Sequence, residues 1–478
     1  MTLQQIEPAS LVPGKRLPAS LFNQSGVKLL GPNVTLSESM CRTLAGFKAS
    51  RLFLAQSLDD LNSLGVVTPA TGWSVGHPAP ADLLTTGGVL VVSAGETVEE
   101  EHAGALEFGA FTGLAPRECA RARAQRMKLA DELVHERSMD WERLPVRVEP
   151  TDDHLDLSGR SLPAGQWPQG SALLRWRSER VRVLRKLYSR LIAGTPADAA
   201  DAEALSDELI ERLIDNPRRF TQLALLGEPR PEFLPDHGYT TGVLSIAIAA
   251  RLGWSRRQVL EAGVAGFLCD VGMGLVPREI RWSVRKLNDI ESNRVRRHPV
   301  HSVMLLEGME GLSETIARAA LQHQERENGS GYPHALKSAQ ICDLARVVAV
   351  ADCFAASTAP RPYKLERRPY DALEELIAKG ADRVLSRQIV RALVESTGLF
   401  PVGSHVKLSS GEIAQVVASG GELIDRPTVR VYQRDGRVSR PGRTVDLAQP
   451  EAAAIQVAMP ANRPSDAEVE VHMEFDEF

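Results

Sequence analysis

The segment HQERENGSGYP, residues 323–333, joins polar residues typical of a helix end to a turn rich in glycine and proline. Gly329 and Gly331 are predicted to take the positive φ angles of a tight loop, and Pro333 restricts the backbone at its exit. Apolar residues recur at helical spacing before this segment, in ETIARAALQH, and after it, in LARVVAVADCF. The segment is therefore predicted to connect two helices of an all-α bundle.

The spacing of apolar residues predicts a multidomain, mainly α protein. Residues 200–396 have helical periodicity almost throughout, and residues 397–436 alternate with period two, as in small antiparallel hairpins. Residues 114–199 are predicted to form a helical linker region, interrupted by a loop rich in Pro, Gly and Asp. Residues 437–478 are predicted to form a flexible tail with an acidic end.

An internal repeat lies near the N-terminus, within residues 1–113. Residues 14–30 and 76–92 align without a gap at an offset of 62, with matched Gly, Pro, Ala and Leu positions. Each copy is typical of two short strands around a Gly turn, followed by a helical stretch. We therefore predict a duplicated α+β module, with chance similarity between two hairpins as the alternative.

One helix of the linker region carries an apolar stripe. Val181, Leu184, Tyr188 and Leu191 lie on one face, and the basic residues of this helix lie away from that face. The stripe indicates either packing against the next domain or the seam of a homodimer.

The composition excludes several classes of protein. A net charge of -5 provides no general attraction to phosphate backbones, so we expect no nucleic-acid partner. The N-terminus lacks the pattern of a secretory signal, and no apolar run reaches the roughly 18 residues needed to cross a membrane. The 5 cysteines have no CxxC spacing, which argues against a disulfide framework or a zinc ribbon. We therefore expect a cytoplasmic protein without a membrane span.

Histidines and acidic residues recur at predicted helix ends within the helical region. Such residues at the ends of apolar helices are how a helical bundle builds an internal metal site. A former site that is retained only for packing is the alternative. The candidate ligands are His237, Cys269, Asp270, His298, His323 and Asp352.

Together with the GSGYP turn, these residues make the region 230–396 resemble the HD-GYP domains. These domains are a subgroup of HD-type phosphohydrolases that hydrolyse cyclic di-GMP. The matching features are Cys269-Asp270 at the HD dipeptide, His298-Pro299, the HQExxxGxGYP segment, Asp352 in VADCF and Arg361-Pro362-Tyr363. The resemblance implies an all-α bundle and a pair of divalent metal ions, iron or manganese, that serve phosphodiester hydrolysis.

The resemblance also implies a role for each matched residue. Asp270 would be the catalytic aspartate that bridges the two metals. His237, Cys269 and Asp352 would belong to the first metal site, and His298 and His323 to the second. Arg361 and Lys364 are expected to contact nucleotide phosphates, with ordinary solvated charges as the alternative. The loop residues Gly329, Gly331, Tyr332 and Pro333 would recognise partners, including GGDEF-type synthases.

The sequence departs from the family pattern at four positions. Cys269 replaces the HD histidine, Met273 a lysine, Gln324 the second histidine of HHE, and Phe233 a glutamate of members with a third metal. A neutral amide oxygen is a poor replacement for imidazole, and a thiolate favours zinc over iron or manganese. A buried, inert thiol is the alternative at Cys269. Losing a cation at the phosphoryl group costs on the order of 2.7–4 kcal/mol of transition-state stabilisation.

Three functions are therefore open. We expect a cyclic di-GMP signalling protein with an eroded metal site, weak or absent phosphodiesterase activity, and a sensing or partner-binding role. The alternatives are an active, divergent cyclic di-GMP phosphodiesterase and a one-metal phosphohydrolase for another nucleotide. His301 and His334, near the motif, are predicted to be surface residues.

Overall fold

The computed structural model describes most of the chain, in segments separated by gaps. The longer described segments are 4–24, 28–32, 34–47, 52–55, 170–225, 233–283, 285–359, 368–434, 437–438 and 442–458. The shorter ones are 68–69, 76–79, 83–85, 90–92, 95, 97–98, 110–112, 125, 128–132, 135, 147–148, 154–155 and 157.

The chain divides into two compact units, and each is formed by three separate stretches. Unit 1 comprises Met1–Pro145, Val183–Asp201 and Leu268–Leu321. Unit 2 comprises Val146–Arg182, Ala202–Phe267 and Gln322–Phe478.

Unit 1 contains two four-stranded antiparallel sheets. The strands are β1 (Gln4–Ile6), β2 (Ser20–Asn23), β3 (Lys28–Leu30), β4 (Leu52–Ala55), β5 (Thr68–Pro69), β6 (Leu83–Thr85), β7 (Leu90–Val92) and β8 (Ala110–Thr112). The orders β1-β4-β2-β3 and β5-β8-β6-β7 are the same when each strand is matched to the fourth one after it. Helix α1 (Glu38–Ala45) packs its buried Met40 and Leu44 on the first sheet.

The two sheets also share turn geometry at the offset of the sequence repeat. Gly14 and Gly76 have φ angles of 80° and 86°, which favour glycine. Their N–H groups donate to the carbonyls of Leu36 and Val98, at 2.7 Å in both cases. The duplication itself stays a prediction, and the helix expected after the second hairpin lies outside the described residues.

The rest of unit 1 is mostly helical. It contains a 3-10 turn (Val271–Leu275), α8 (Arg278–Arg281), α9 (Asp289–Arg296), α10 (His298–Leu306) and α11 (Glu314–Gln322). The short strands β9 (Ala197–Asp198) and β10 (Met309–Glu310) pair in parallel.

Unit 2 is built around one buried helix, Phe233–Arg251, which packs against the helices Asp343–Thr358 and Arg387–Thr397. The helices that lie in or begin in this unit are α2 (Gly170–Ala193), α3 (Ala200–Asp215), α4 (Pro217–Phe220), α5 (Gln222–Leu225), α6 (Phe233–Arg251), α7 (Arg256–Leu268), α12 (Asp343–Thr358), α13 (Pro369–Ala381) and α14 (Arg387–Thr397).

The predictions for two apolar stretches had different outcomes. The stripe on α2 is buried within the chain, which favours packing over a dimer seam. Among the described residues, Arg256–Leu275 has the length and hydropathy of a membrane span, which the sequence reasoning missed. Of its apolar window, 72% is buried inside the protein, as in core helices.

A six-stranded sheet follows the helices of unit 2. Its strands are β11 (His405–Leu408), β12 (Ile413–Ala418), β13 (Thr428–Arg434), β14 (Arg437–Val438), β15 (Thr444–Asp446) and β16 (Ile455–Ala458). The strands β14, β15 and β16 follow residue 436, where the flexible tail was predicted to begin. They are short and lie among Pro and Gly residues, so the alternation of apolar and polar residues is hard to detect. Residues 459–478 lie outside the described residues.

Helices α6 and α7 cross at a point where only glycine fits. A Cβ on Gly266 would lie 2.6 Å from the Gly242 Cα, and one on Gly242 would lie 2.1 Å from the Phe267 ring. Because backbone and a packed ring surround these positions, the two helices must separate to accept any side chain.

We expect Gly266→Ala to lower the free energy of unfolding by roughly 1–3 kcal/mol, because the added methyl overpacks this crossing. Gly380→Ala on α13 is the matched control, since its Cβ would have no neighbour closer than 3.5 Å. Chemical denaturation of both variants measures the difference, and equal stability of the two would contradict the close crossing.

Candidate functional site

All six candidate ligands are buried at the ends of helices or inside them. His237 lies in the second turn of α6, Asp352 within α12, and His323 just after α11. Cys269 and Asp270 lie between α7 and the 3-10 turn, and His298 begins α10. None of these residues is more than 7% exposed. Buried polar groups of this kind need partners, so their contacts define what the site can do.

In unit 2, His237 and Asp352 form one pair. The His237 Nε2 lies 2.8 Å from the Asp352 Oδ1. The other carboxylate oxygen, Oδ2, accepts a hydrogen bond from the Gln324 Nε2 at 2.8 Å. The guanidinium of Arg326 donates to the Gln324 Oε1 at 3.1 Å. Gln324 therefore contributes a hydrogen-bond donor to Asp352, where the sequence predicted only an amide oxygen.

In unit 1, Asp270 pairs with His298. The His298 Nδ1 lies 2.8 Å from the backbone oxygen of Val295, which can only accept, so this nitrogen carries the proton. In the neutral imidazole, the lone pair of Nε2 then faces the Asp270 Oδ1 at 3.0 Å. Two acceptors at this distance require a shared proton or a cation.

The Asp270–His298 pair fits a metal ion. The two ligand atoms are 3.0 Å apart, close enough that both could contact one ion. Imidazole nitrogen with carboxylate oxygen suits zinc, iron or manganese. The donor set is therefore chemically appropriate for a divalent metal, as the resemblance implied.

Cys269 is close to the same carboxylate. Its sulfur and an Asp270 oxygen lie within 4.8 Å of one another, and its side chain is fully buried. The Cys269 carbonyl accepts a hydrogen bond from the Ser302 Oγ at 2.6 Å, and the Ser302 Oγ accepts one from the Gly272 N–H at 2.9 Å. These bonds fix the Cys269–Asp270 turn against α10.

Tyr188 is a neighbour of this turn that the sequence reasoning treated only as an apolar residue. It is buried, and burial raises the pKa of its phenol well above the ordinary value, with the charges of Cys269 and Asp270 as further causes. The helical periodicity correctly predicted that Tyr188 is buried, but it carried no information about the acidic groups near its hydroxyl.

Glu325 anchors the glycine-rich loop, and the sequence reasoning missed it. Its carboxylate is 2% exposed and accepts the backbone N–H groups of His334 at 2.7 Å and Leu336 at 2.9 Å. Burial raises the pKa of Glu325, and the two N–H donors oppose that shift. The carboxylate thus replaces the backbone partners that the loop lacks.

The two loop glycines have different functions. Gly329 has a φ of +82°, as predicted. Gly331 does not have a positive φ, so that prediction was wrong. Its constraint is space, because a Cβ there would lie 2.4 Å from the Arg326 nitrogen and 2.5 Å from the Glu325 Cα. The loop therefore lies directly on the chain that follows His323.

The remaining predicted residues have mixed outcomes. Arg361 and Lys364 lie outside the described residues, so their role stays a prediction. Met273 is half-buried in the 3-10 turn. His334 is exposed as expected, but His301 is only 7% exposed, so its prediction was wrong. His301 lies within α10, all of whose residues are buried.

Comparisons with known proteins agree with the motif. The family model "HD domain" matches residues 210–385. The chain is 33% identical over 301 residues to a cyclic di-GMP phosphodiesterase of Pseudomonas aeruginosa, covering 60% of this chain and 71% of that protein. It is 36% identical over 148 residues to a cyclic di-GMP phosphodiesterase response regulator of Xanthomonas campestris, and the match covers 31% of this chain and 39% of that protein.

Two further proteins match smaller or larger shares of the chain. A 3'3'-cGAMP-specific phosphodiesterase of Vibrio cholerae is 32% identical over 142 residues, which are 30% of this chain and 33% of that protein. Among solved structures, a HDG"Y"P protein from Bdellovibrio bacteriovorus covers 68% of this chain and 97% of its own, at 14% identity and a TM-score of 0.41.

We expect Glu325→Gln to destabilise the loop, because the amide N–H₂ would face a backbone N–H and leave it unpaired. The cost is about 1–3 kcal/mol. Hydrogen exchange at residues 334–336 should accelerate, and Glu374→Gln, an exposed position on α13, should leave it unchanged. Unchanged exchange in the Glu325 variant would show that its carboxylate does not hold the loop.

Proposed function

Because this chain belongs to the HD-GYP family, we propose that it is a cyclic di-GMP signalling protein with weak or no phosphodiesterase activity. In this proposal it senses the nucleotide, or binds a partner through the loop Gly329–Pro333. Relatives that are phosphodiesterases for cyclic di-GMP and 3'3'-cGAMP support a cyclic dinucleotide as the ligand class. A GGDEF-type synthase as partner rests on family resemblance alone. A homodimer was suggested only by the apolar stripe on α2, whose residues are buried within the chain.

We propose that the candidate ligands hold divalent metal, iron or manganese by resemblance. The candidate ligands within each unit support this proposal: His237 with Asp352 in unit 2, and Cys269 with Asp270 in unit 1. His298 would add its Nε2 beside Asp270. A bound metal would neutralise negative charge on the phosphodiester. A Cys269 thiolate would shift the preference of its site towards zinc.

The contacts of Gln324 are the observation that carries the proposal of weak turnover. Its Nε2 donates to Asp352 and its Oε1 accepts from Arg326, so neither atom is offered as a metal ligand in place of the family's imidazole. At Met273, an uncharged thioether replaces the lysine that would hold the phosphate. The site would retain groups for binding but would lack the cation that the resemblance implies at position 273.

An active, divergent phosphodiesterase is the second candidate. The Asp270–His298 pair favours it, because its separation of 3.0 Å suits two ligands of one ion. A one-metal phosphohydrolase for another nucleotide would bind and cleave a simple nucleotide instead. Binding and turnover must therefore be measured separately.

We expect the reduced, full-length protein, reconstituted anaerobically with iron or manganese, to bind cyclic di-GMP in calorimetry. The hydrolysis rate should be roughly 10²–10³-fold below that of a family member with the lysine, because one stabilising charge is missing. Chromatography of the linear product measures the rate.

Asp270→Ala and His323→Ala are the controls against contaminating enzyme. Product that forms at the comparator's rate and vanishes in both variants would establish the active phosphodiesterase. Failure to bind cyclic di-GMP would overturn both the proposed signalling role and the active phosphodiesterase.

Restoring the family residues should restore turnover. We expect Met273→Lys combined with Gln324→His to raise the hydrolysis rate by roughly 10²–10³-fold, because a cation and an imidazole return to the site. Met273→Leu combined with Gln324→His is matched except for the charge and should gain far less. Equal rates in the two double variants would show that the missing lysine does not limit turnover.

A further inference from the structure

The orientation of the Gln324 amide is fixed by chemistry on both sides. An ionised carboxylate only accepts hydrogen bonds, so the amide atom 2.8 Å from the Asp352 Oδ2 must be the nitrogen. A guanidinium only donates, so the amide atom 3.1 Å from Arg326 must be the oxygen. The two constraints agree, and rotating the amide would break both bonds at once.

Arg326 is itself held in place by several groups of unit 2. One of its Nη atoms donates to the backbone oxygens of His323 at 3.0 Å and Glu325 at 2.8 Å. The other also contacts the Cys353 sulfur at 3.5 Å. This guanidinium is therefore a fixed support for the Gln324 amide.

The support determines how the Asp352 carboxylate is oriented. With Oδ2 bonded to the Gln324 N–H, the carboxylate plane is set and Oδ1 is directed to the His237 Nε2 at 2.8 Å. We propose that Gln324, held by Arg326, is a positioning residue that orients Asp352 for metal binding through Oδ1. This inference rests on the proposed metal site, and it gives position 324 a role different from that of the family's histidine ligand.

A double-mutant cycle tests the inference without any measurement of activity. Gln324→Leu removes the donor to Asp352, and Arg326→Met removes the support of the amide. Cobalt(II) affinity of the full-length protein is measured by calorimetry, and the visible absorption of the bound ion reports its ligand geometry. The same variants are melted in EDTA to test the hydrogen-bond chain without metal.

We expect each single variant to lose roughly 10–100-fold in cobalt(II) affinity, as when partners of metal ligands are removed. The double variant should lose no more than the worse single one, because both act through one chain of bonds. Arg326→Lys should recover part of the affinity and the wild-type absorption. Arg391→Met, an exposed arginine bonded to Glu395, should change neither.

The other outcomes overturn the inference in distinct ways. If Gln324 is a direct ligand through Oε1, Gln324→Leu loses affinity and alters the absorption while Arg326→Met has no effect. Additive losses would show that the two side chains act separately. A wild-type protein that binds no cobalt(II), manganese or zinc refutes the proposed metal site and the positioning role together. Coupled melting shifts in EDTA would then assign the hydrogen bonds to stability alone.

Discussion

The buried carboxylate of Asp352 is the constraint on which the arrangement of unit 2 depends. An ionised carboxylate inside a protein is costly unless it is paired and hydrogen-bonded. Here its two oxygens are 2.8 Å from His237 and from Gln324. Because His237 lies on α6 and Asp352 on α12, the His237–Asp352 pair can form only while those two helices stay packed. The close packing of α6 therefore contributes to the polar site as well as to the apolar core.

The same requirement explains how the site tolerates its substitutions. At position 324, where the family pattern has a second histidine, the glutamine amide donates an N–H to the Asp352 carboxylate. Cys269 removes another imidazole and leaves a small buried side chain, while its backbone oxygen stays bonded to Ser302. At both positions the polar atoms described above therefore have hydrogen-bond partners, although the imidazoles of the family pattern are absent there.

Much of the fold could be predicted from the sequence, because helical periodicity and turn residues act locally. Apolar spacing predicted α6 and α12, and the motif identified the buried His and Asp residues. Side-chain partners could not be predicted, because they depend on rotamers and on chain segments distant in sequence. For this reason the amide of Gln324 was expected to offer its oxygen, the anchoring role of Glu325 was missed, and His301 was placed on the surface. The strands β15 and β16 were missed because they are too short for a periodic signal.

The segment His323–Arg326 joins the loop to the candidate ligands of unit 2 through its own backbone. The Gln324 carbonyl accepts the Tyr332 N–H at 3.2 Å, while the Gln324 side chain holds Asp352. The Glu325 carboxylate holds the far side of the loop. Gly331 lies so close to the backbone of residues 324–326 that the two chain segments cannot slide past one another. A displacement of the loop must therefore move the backbone of residue 324, and with it the donor to Asp352. The proposed partner recognition at the loop and the proposed metal binding at Asp352 would thus be linked through residue 324.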